Sequence, residues 1–210
     1  MEFYRTVRGY AESRFTEKKS EFIGRVKPCA TWEEAKAFVA EVRGMDPDAR
    51  HHVLAFINRE GNVQRFDDDG EPKGTGGIPM LEVLKKEEIT GLCVVVTRYF
   101  GGILLGAGGL ARAYARGARD AVEAAGICRF SRVTVAQVLI PYPLFPKAEF
   151  EIGQGGYRIT GKEFGEEVTL ELILSEREMA TLSTLLSDLS GGRITLRVTG
   201  EGFAEDRDEA

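Results

Sequence analysis

Leu92–Ala125, LCVVVTRYFGGILLGAGGLARAYARGARDAVEAA, divides into three parts that decide the fold around it. Leu92–Thr97 is an unbroken, valine-rich apolar run of strand length, the pattern of a strand covered on both faces. From Arg98 to Gly109 the composition turns: Gly101, Gly102, Gly106, Gly108 and Gly109 surround Ile103, Leu104 and Leu105. A backbone so free of Cβ atoms can take positive φ and turn N–H groups toward an approaching group. Alanines from Ala111 to Ala125 then favour helix, and Arg112, Arg116 and Arg119 recur at i, i+4 and i+7, setting three guanidinium groups along one face. With the partial positive charge of the helix N-terminus, this makes an anion site. The same arginines suit a solvated face paired with Asp120 and Glu123. No G-x-x-x-x-G-K-[ST] phosphate loop is present, and G-x-G-x-x-A at Gly106, Gly108 and Ala111 lies too far beyond the strand end for a dinucleotide site.

Outward from this stretch, a chain of 210 residues with 43% hydrophobic and 29% charged residues suits a water-soluble globular protein of two small domains. No window resembles a membrane span, and the N-terminal MEFYRTVRGYAESRFTEKK is charged throughout, so a cytoplasmic location is expected. With a net charge of −5, a polyanion would have to be met by a local basic patch. Cys29, Cys93 and Cys128 are widely separated and lack C-x-x-C spacing, which reads as buried thiols and not as a zinc knot or disulfide framework.

Tyr4–Thr6 and Ser20–Lys27 read as strands, with Arg14–Lys19 as a basic turn between them. Thr31 is a good N-cap for a helix with Ala35, Phe38, Val39 and Val42 inward, ending at Gly44. His52–Asn58 and Val63–Phe66 are strands around the turn NREGN. His51 and His52, the chain's two histidines, are neighbours on a strand and face opposite ways, so they form no metal pair unaided.

FDDDGEPKGTGGIPML, Phe66–Leu81, is the second unusual segment, too rich in acids, prolines and glycines for a plain connector. Asp67, Asp68 and Asp69 are contiguous, which does not fit the alternating acids of an EF-hand; magnesium on one or two carboxylates, or a solvated turn neutralised by Lys73 or Arg98, both suit it. A helix over Ile78–Glu87 turns Met80, Leu81, Val83 and Leu84 inward. Because Asp68, Asp69 and Glu71 need partners, the acidic loop is expected to pack on the glycine loop, with Asp69 against Arg98.

After Gly126 the pattern changes. Val133–Ile140 alternates as a strand, Tyr142–Ile152 is a helix, and Tyr157–Thr160 and Val168–Leu174 are strands. Ser175 caps a helix with Met179, Leu182, Leu185, Leu186 and Leu189 inward, and Ile194–Val198 is the last strand. The order βαββαβ is that of a ferredoxin-like sandwich. The fold class is therefore α+β in two domains, 1–130 and 131–203, meeting near Arg129–Arg132, with 204–210 as a frayed acidic tail.

Together, DDDGEPKGTGGIPML and VVVTRYFGGILLGAGGLARAYARGA resemble the signature of the YigZ/IMPACT family. The matching positions are Asp68, Asp69, Gly70, Glu71, Pro72, Gly74 and Thr75, then Arg98, Tyr99, Phe100, Gly101, Gly102, Leu105, Gly106, Gly108, Gly109, Leu110, Arg112 and Tyr114; Gly76 stands where the family pattern has alanine. The resemblance implies a first domain with a ribosomal-protein-domain-2-like fold, shared with elongation factor G domain IV and the GHMP kinases. It implies a ferredoxin-like second domain similar to domain V of elongation factor G. Eukaryotic relatives regulate translation initiation by competing for an activator of a stress kinase through an extra domain, for which this chain has no room.

The leading expectation is a nucleic-acid- or ribosome-associated protein involved in regulation of translation, with RNA, the ribosome or translation factors as partners. Arg98, Arg112 and Arg116 would contact phosphate, the glycine loop would approach it, and Tyr99, Phe100 and Tyr114 would stack on bases. Asp68, Asp69, Glu71, Lys73 and Thr75 form the accompanying acidic loop. The alternatives are a metal-dependent phosphate-ester or nucleotide enzyme, with Asp68, Asp69 and Glu71 on the metal, and a protein-interaction module. No catalytic residue, cofactor or resident metal is expected; G-x-S-x-G is absent and neither histidine has an evident partner.

Overall fold

The structure, a computed structural model, describes residues 2–206, and the chain divides into two compact units, Phe3–Arg129 and one that begins at Phe130. The first unit runs β1 (Phe3–Val7), β2 (Ala11–Glu17), β3 (Ser20–Pro28), α1 (Trp32–Met45), β4 (His51–Ile57), β5 (Gln64–Asp67), α2 (Gly77–Lys86), β6 (Leu92–Tyr99) and α3 (Ala107–Ala125). Its sheet has the order β2-β3-β6-β4-β5, every pair antiparallel.

The apolar run at Leu92 becomes the central strand because both its faces are covered. Val94 and Val96, with Phe22, Val26, Val53 and Ala55, pack on α2 and α3. Cys93 and Val95, with Leu54 and Phe56, pack on α1. Glycine permits the closest approach: a Cβ on Gly24 would stand 2.2 Å from the Gly117 carbonyl oxygen, so α3 lies against β3 backbone to backbone. α1 starts as its cap requires, Thr31 accepting from Glu34 N–H, and continues past Gly44 to Met45.

Arg14–Lys19 is not a turn. β2 occupies Ala11–Glu17 as an edge strand paired residue for residue with β3 from Ala11↔Val26 to Glu17↔Ser20, and this pair, not Tyr4–Thr6 with Ser20–Lys27, is the hairpin. Its polar, half-exposed pattern hides it from periodicity. The turn is Lys18–Lys19, both left-handed at φ 46° and 63°, the conformation that the twist of a two-residue hairpin demands. β6 extends through Arg98 and Tyr99, and α3 begins at Ala107, so Gly108 and Gly109 belong to its first turn and the glycine loop is shorter than its composition suggests.

The second unit runs β7 (Ile127–Ile140), α4 (Phe145–Gln154), β8 (Arg158–Phe164), β9 (Val168–Leu174), α5 (Glu176–Ser190) and β10 (Thr195–Glu205). Its strands pair antiparallel as β10-β7-β9-β8, the ferredoxin-like order. Ala136, Val138 and Ile140 meet Leu172, Leu170 and Val168 in register, and with Ala148, Ile152, Leu182 and Leu186 they build its core. Ser175 and Glu178 form a reciprocal capping box at α5. β7 begins at Ile127, well before Val133. The helix expected from Tyr142 opens as a 3-10 turn, Tyr142–Leu144, with proline near its start. β10 continues through Ala204 and Glu205, so these are strand and not frayed tail; 207–210 lie outside the described residues.

Candidate functional site

Antiparallel register brings the two unusual segments together. His51 pairs with Arg98 on the α2/α3 face of the sheet, whereas His52 pairs with Thr97 on the α1 face, as neighbours on a strand must. His52 is buried, with Nδ1 3.1 Å from Thr97 Oγ1, and burial, followed by Arg43, lowers its pKa.

The acids of the loop after β5 divide three ways. Asp68 caps α2, which starts at glycine and has no cap of its own: its carboxylate accepts from the N–H groups of Gly74, Gly76 and Gly77 at 2.6, 2.9 and 2.8 Å. Asp69, left-handed at φ 46°, turns outward to Arg43 and the His52 N–H, both 2.6 Å. Burial alone would raise its pKa, but Arg43 and the His52 amide outweigh it and hold the carboxyl below the usual range. Glu71 turns inward, where its Oε1 accepts from Arg98 Nη1 and Tyr114 OH, each at 2.7 Å. The partner of Arg98 is thus Glu71, and not Asp69. Thr75 donates to the Pro72 carbonyl at 2.6 Å; Lys73 is exposed. The three carboxylates diverge, and among the described residues no three metal-ligating side chains converge.

Arg98 is 5% exposed, its guanidinium between the Phe22 and Phe100 rings at 5.6 and 5.4 Å, with Nη2 donating to Ser20 Oγ. It therefore acts as an internal strut, not a phosphate contact. Tyr114 is fully buried and cannot stack on a base; burial, then the Glu71 carboxylate, pushes its hydroxyl pKa far up. Tyr99 points to the α1 face and donates to Asp46 Oδ1 at 3.0 Å, beside the buried Arg25, which pairs with Asp46 and Glu12. Phe100 remains 44% exposed, with the Arg98 guanidinium over its ring. Gly101 is required by packing, since a Cβ there would lie 1.9 Å from the Lys19 carbonyl oxygen, while Gly102 and Gly106 take φ 81° and 72°.

Arg112 and Arg116 are exposed, as the helix pattern implies. Arg116 is partly occupied, with Nε 3.2 Å from Asp120 and the guanidinium 4.2 Å from the Phe15 ring centre; Arg112 has no ion pair among the described residues. A groove between the β2–β3 turn and α3 collects Lys18, Arg112 and Arg116 around Phe15 and Leu105, with Glu17 beside them. Sequence reasoning missed Lys18 and Lys19, although the dipeptide Lys-Lys at the centre of AESRFTEKKSEFIGRV was the available signal for a charged hairpin tip.

A family model described as the Impact N-terminal domain matches residues 18–122, and one described as a domain of unknown function (DUF1949) matches 138–193. The chain is 33% identical over 195 residues to the Bacillus subtilis "IMPACT family member YvyE", covering 92% of this chain and 90% of that protein. It is 37% identical to the Escherichia coli "IMPACT family member YigZ", covering 85% and 89%. A solved structure described as "Crystal structure of an hypothetical protein" shares 34% identity and a TM-score of 0.62 over 95% of this chain and 98% of its own.

Proposed function

Since the chain belongs to the IMPACT family, we propose that it is an RNA- or ribosome-associated protein of translation, docking on phosphate through the groove between the β2–β3 turn and α3. The observation that carries this reading is the uncompensated charge there. Lys18 and Arg112 line the groove, exposed and without an ion pair among the described residues, and Lys19 and Arg119 are likewise exposed and unpaired on the same turn and helix, in a chain whose net charge is −5. Left-handed lysines at Lys18 and Lys19, where asparagine or glycine would be less strained, support a role for the hairpin tip beyond turning the chain.

A cytoplasmic setting belongs to the same proposal. No helix among the described residues is long and apolar enough to cross a membrane.

The test is sedimentation with ribosomes and with free RNA across a salt series. Each phosphate contact releases counterions, so Lys18→Ala with Arg112→Ala should lower the slope of log affinity against log salt by roughly 1.5–2. Stability should change by less than about 1 kcal/mol, since neither side chain is paired. A parent protein that binds neither ribosomes nor RNA at any salt would overturn the proposal.

A further inference from the structure

A larger cavity than the cationic groove has no role in that reading. It measures about 350 Å³ and lies where the glycine loop and the start of α3 meet β4 and the acidic loop, within the size range of small-molecule sites.

Its polar floor is His51 and Glu71, with His51 Nε2 4.0 Å from Glu71 Oε1. Oε1 is saturated by Arg98 and Tyr114, whereas Oε2 makes no hydrogen bond within the described protein. His51 Nδ1 lies 2.8 Å from the Asp69 carbonyl oxygen. A carbonyl only accepts, so Nδ1 carries a proton, and in the neutral form of the ring Nε2 is the lone-pair acceptor facing the cavity. The Nη groups of Arg98, the other polar group lining the floor, are drawn to Glu71 and Ser20, and its Nε, which has no partner among the described residues, is buried and not exposed to the cavity. The floor therefore offers two adjacent acceptors and calls for a ligand with two adjacent donors.

The walls are apolar. Leu105, Leu110 and Pro72 enclose the cavity, and Phe100 and Leu104 also line it while standing 44% and 82% exposed. The third element is positive. α3 has Gly106 at its N-cap, with no side-chain cap and no acid in its first turn, and Arg50, exposed and without an ion pair among the described residues, also lines the cavity.

A flat apolar body with paired donors at one edge and an anion at the other end describes a guanine nucleotide. Guanine alone among the common bases sets two donors, N1–H and the 2-amino group, side by side on its Watson–Crick edge; adenine, cytosine and uracil flank their donor with acceptors. We propose that this cavity binds a guanine base, its donor edge on Glu71 Oε2 and His51 Nε2, its face on Phe100, and its phosphate at the first amides of α3. The base can come from a free nucleotide or from an unpaired residue of RNA, and the second case rests on the RNA reading above.

Calorimetric titration of the full chain with GMP, IMP and AMP tests the edge, because IMP lacks only the 2-amino donor. GMP is expected to bind roughly 10–100-fold more tightly than IMP and more tightly than AMP, the range of a lost hydrogen bond to a charged acceptor. His51→Ala, which leaves the buried ion pair intact, and Phe100→Leu, which removes the ring but keeps an apolar cover on the Arg98 guanidinium, should each weaken GMP by about tenfold or more while circular dichroism shows the variant folded at the titration temperature. A parallel arm measures fluorescence anisotropy of single-stranded RNA decamers with one guanine or none. Preference for the guanine decamer, abolished by His51→Ala, supports the RNA source. RNA binding with no guanine preference, together with equal or absent binding of GMP and AMP, overturns the pocket and leaves the RNA reading standing. GMP binding without any RNA binding supports the pocket and overturns the RNA reading.

Discussion

Glu71→Gln removes one charge from the centre of the first unit and almost nothing else. Glutamine keeps the shape of the side chain and an oxygen able to accept from Arg98 Nη1 and Tyr114 OH, which reach the carboxylate at 2.7 Å each. What it loses is the counter-ion of a guanidinium that is 5% exposed and held between two phenylalanine rings. Breaking a buried pair from one side costs about 3–5 kcal/mol, because the remaining charge cannot return to water. For a unit of this size that corresponds to roughly 10–20 °C in Tm. The assay is urea unfolding followed by the fluorescence of Trp32, the single tryptophan, whose ring lies 5.5 Å from Phe56 in the first unit and so reports on that unit. Adding Arg98→Met to Glu71→Gln should recover at least half of the loss, since the pair replaced together leaves no stranded charge. A single variant within about 1 kcal/mol of the parent, or a double variant no better than the single, would refute the argument that Arg98 depends on Glu71.

Gly24→Ala drives a methyl group toward the Gly117 carbonyl oxygen at 2.2 Å and should destabilise the first unit by at least about 1–3 kcal/mol in the same unfolding assay; a neutral result would mean α3 is free to shift on β3. Acid should weaken this unit in two steps. His52, with its folded pKa lowered, contributes stability that is complete above about pH 6.5 and is lost as pH falls through the folded value; Asp69, also lowered, contributes above about pH 4 and is lost below. His52→Gln should flatten the first step and Asp69→Asn the second, and a parent whose midpoint is constant from pH 7 to about pH 3 would contradict both. Cys29, Cys93 and Cys128 are buried, and burial raises the Cys29 thiol to about 11 and Cys93 well above its ordinary value, so an aromatic disulfide reagent at pH 8 should label native protein only at the unfolding rate. Immediate labelling of one equivalent would show an accessible thiol.

The local grammar of the chain was legible without coordinates wherever short-range periodicity and caps decide the outcome. Leu92–Val96 had to be covered on both faces because its apolar run leaves no charged or strongly polar position for water, and Thr31 and Ser175 mark their helix starts because each hydroxyl is the nearest acceptor for an orphan N–H. The βαββαβ order of the second unit follows from its alternation in the same way, and the two motif segments carried the family. Long-range geometry decided the rest. Asp68, Asp69 and Glu71 look interchangeable in DDDGEP, yet the path of the turn aims one carboxylate at amides, one at Arg43, and only the longer Glu71 side chain at Arg98 and Tyr114, 27 and 43 residues away. Tyr114 lies on the same helix as Arg112, but that helix rests on the sheet with Tyr114 beneath it, so one is buried and the other exposed. β2 escaped detection because an edge strand with a half-exposed, charged face carries no apolar period, and its partner β3 specifies it through pairing that no single-strand pattern contains.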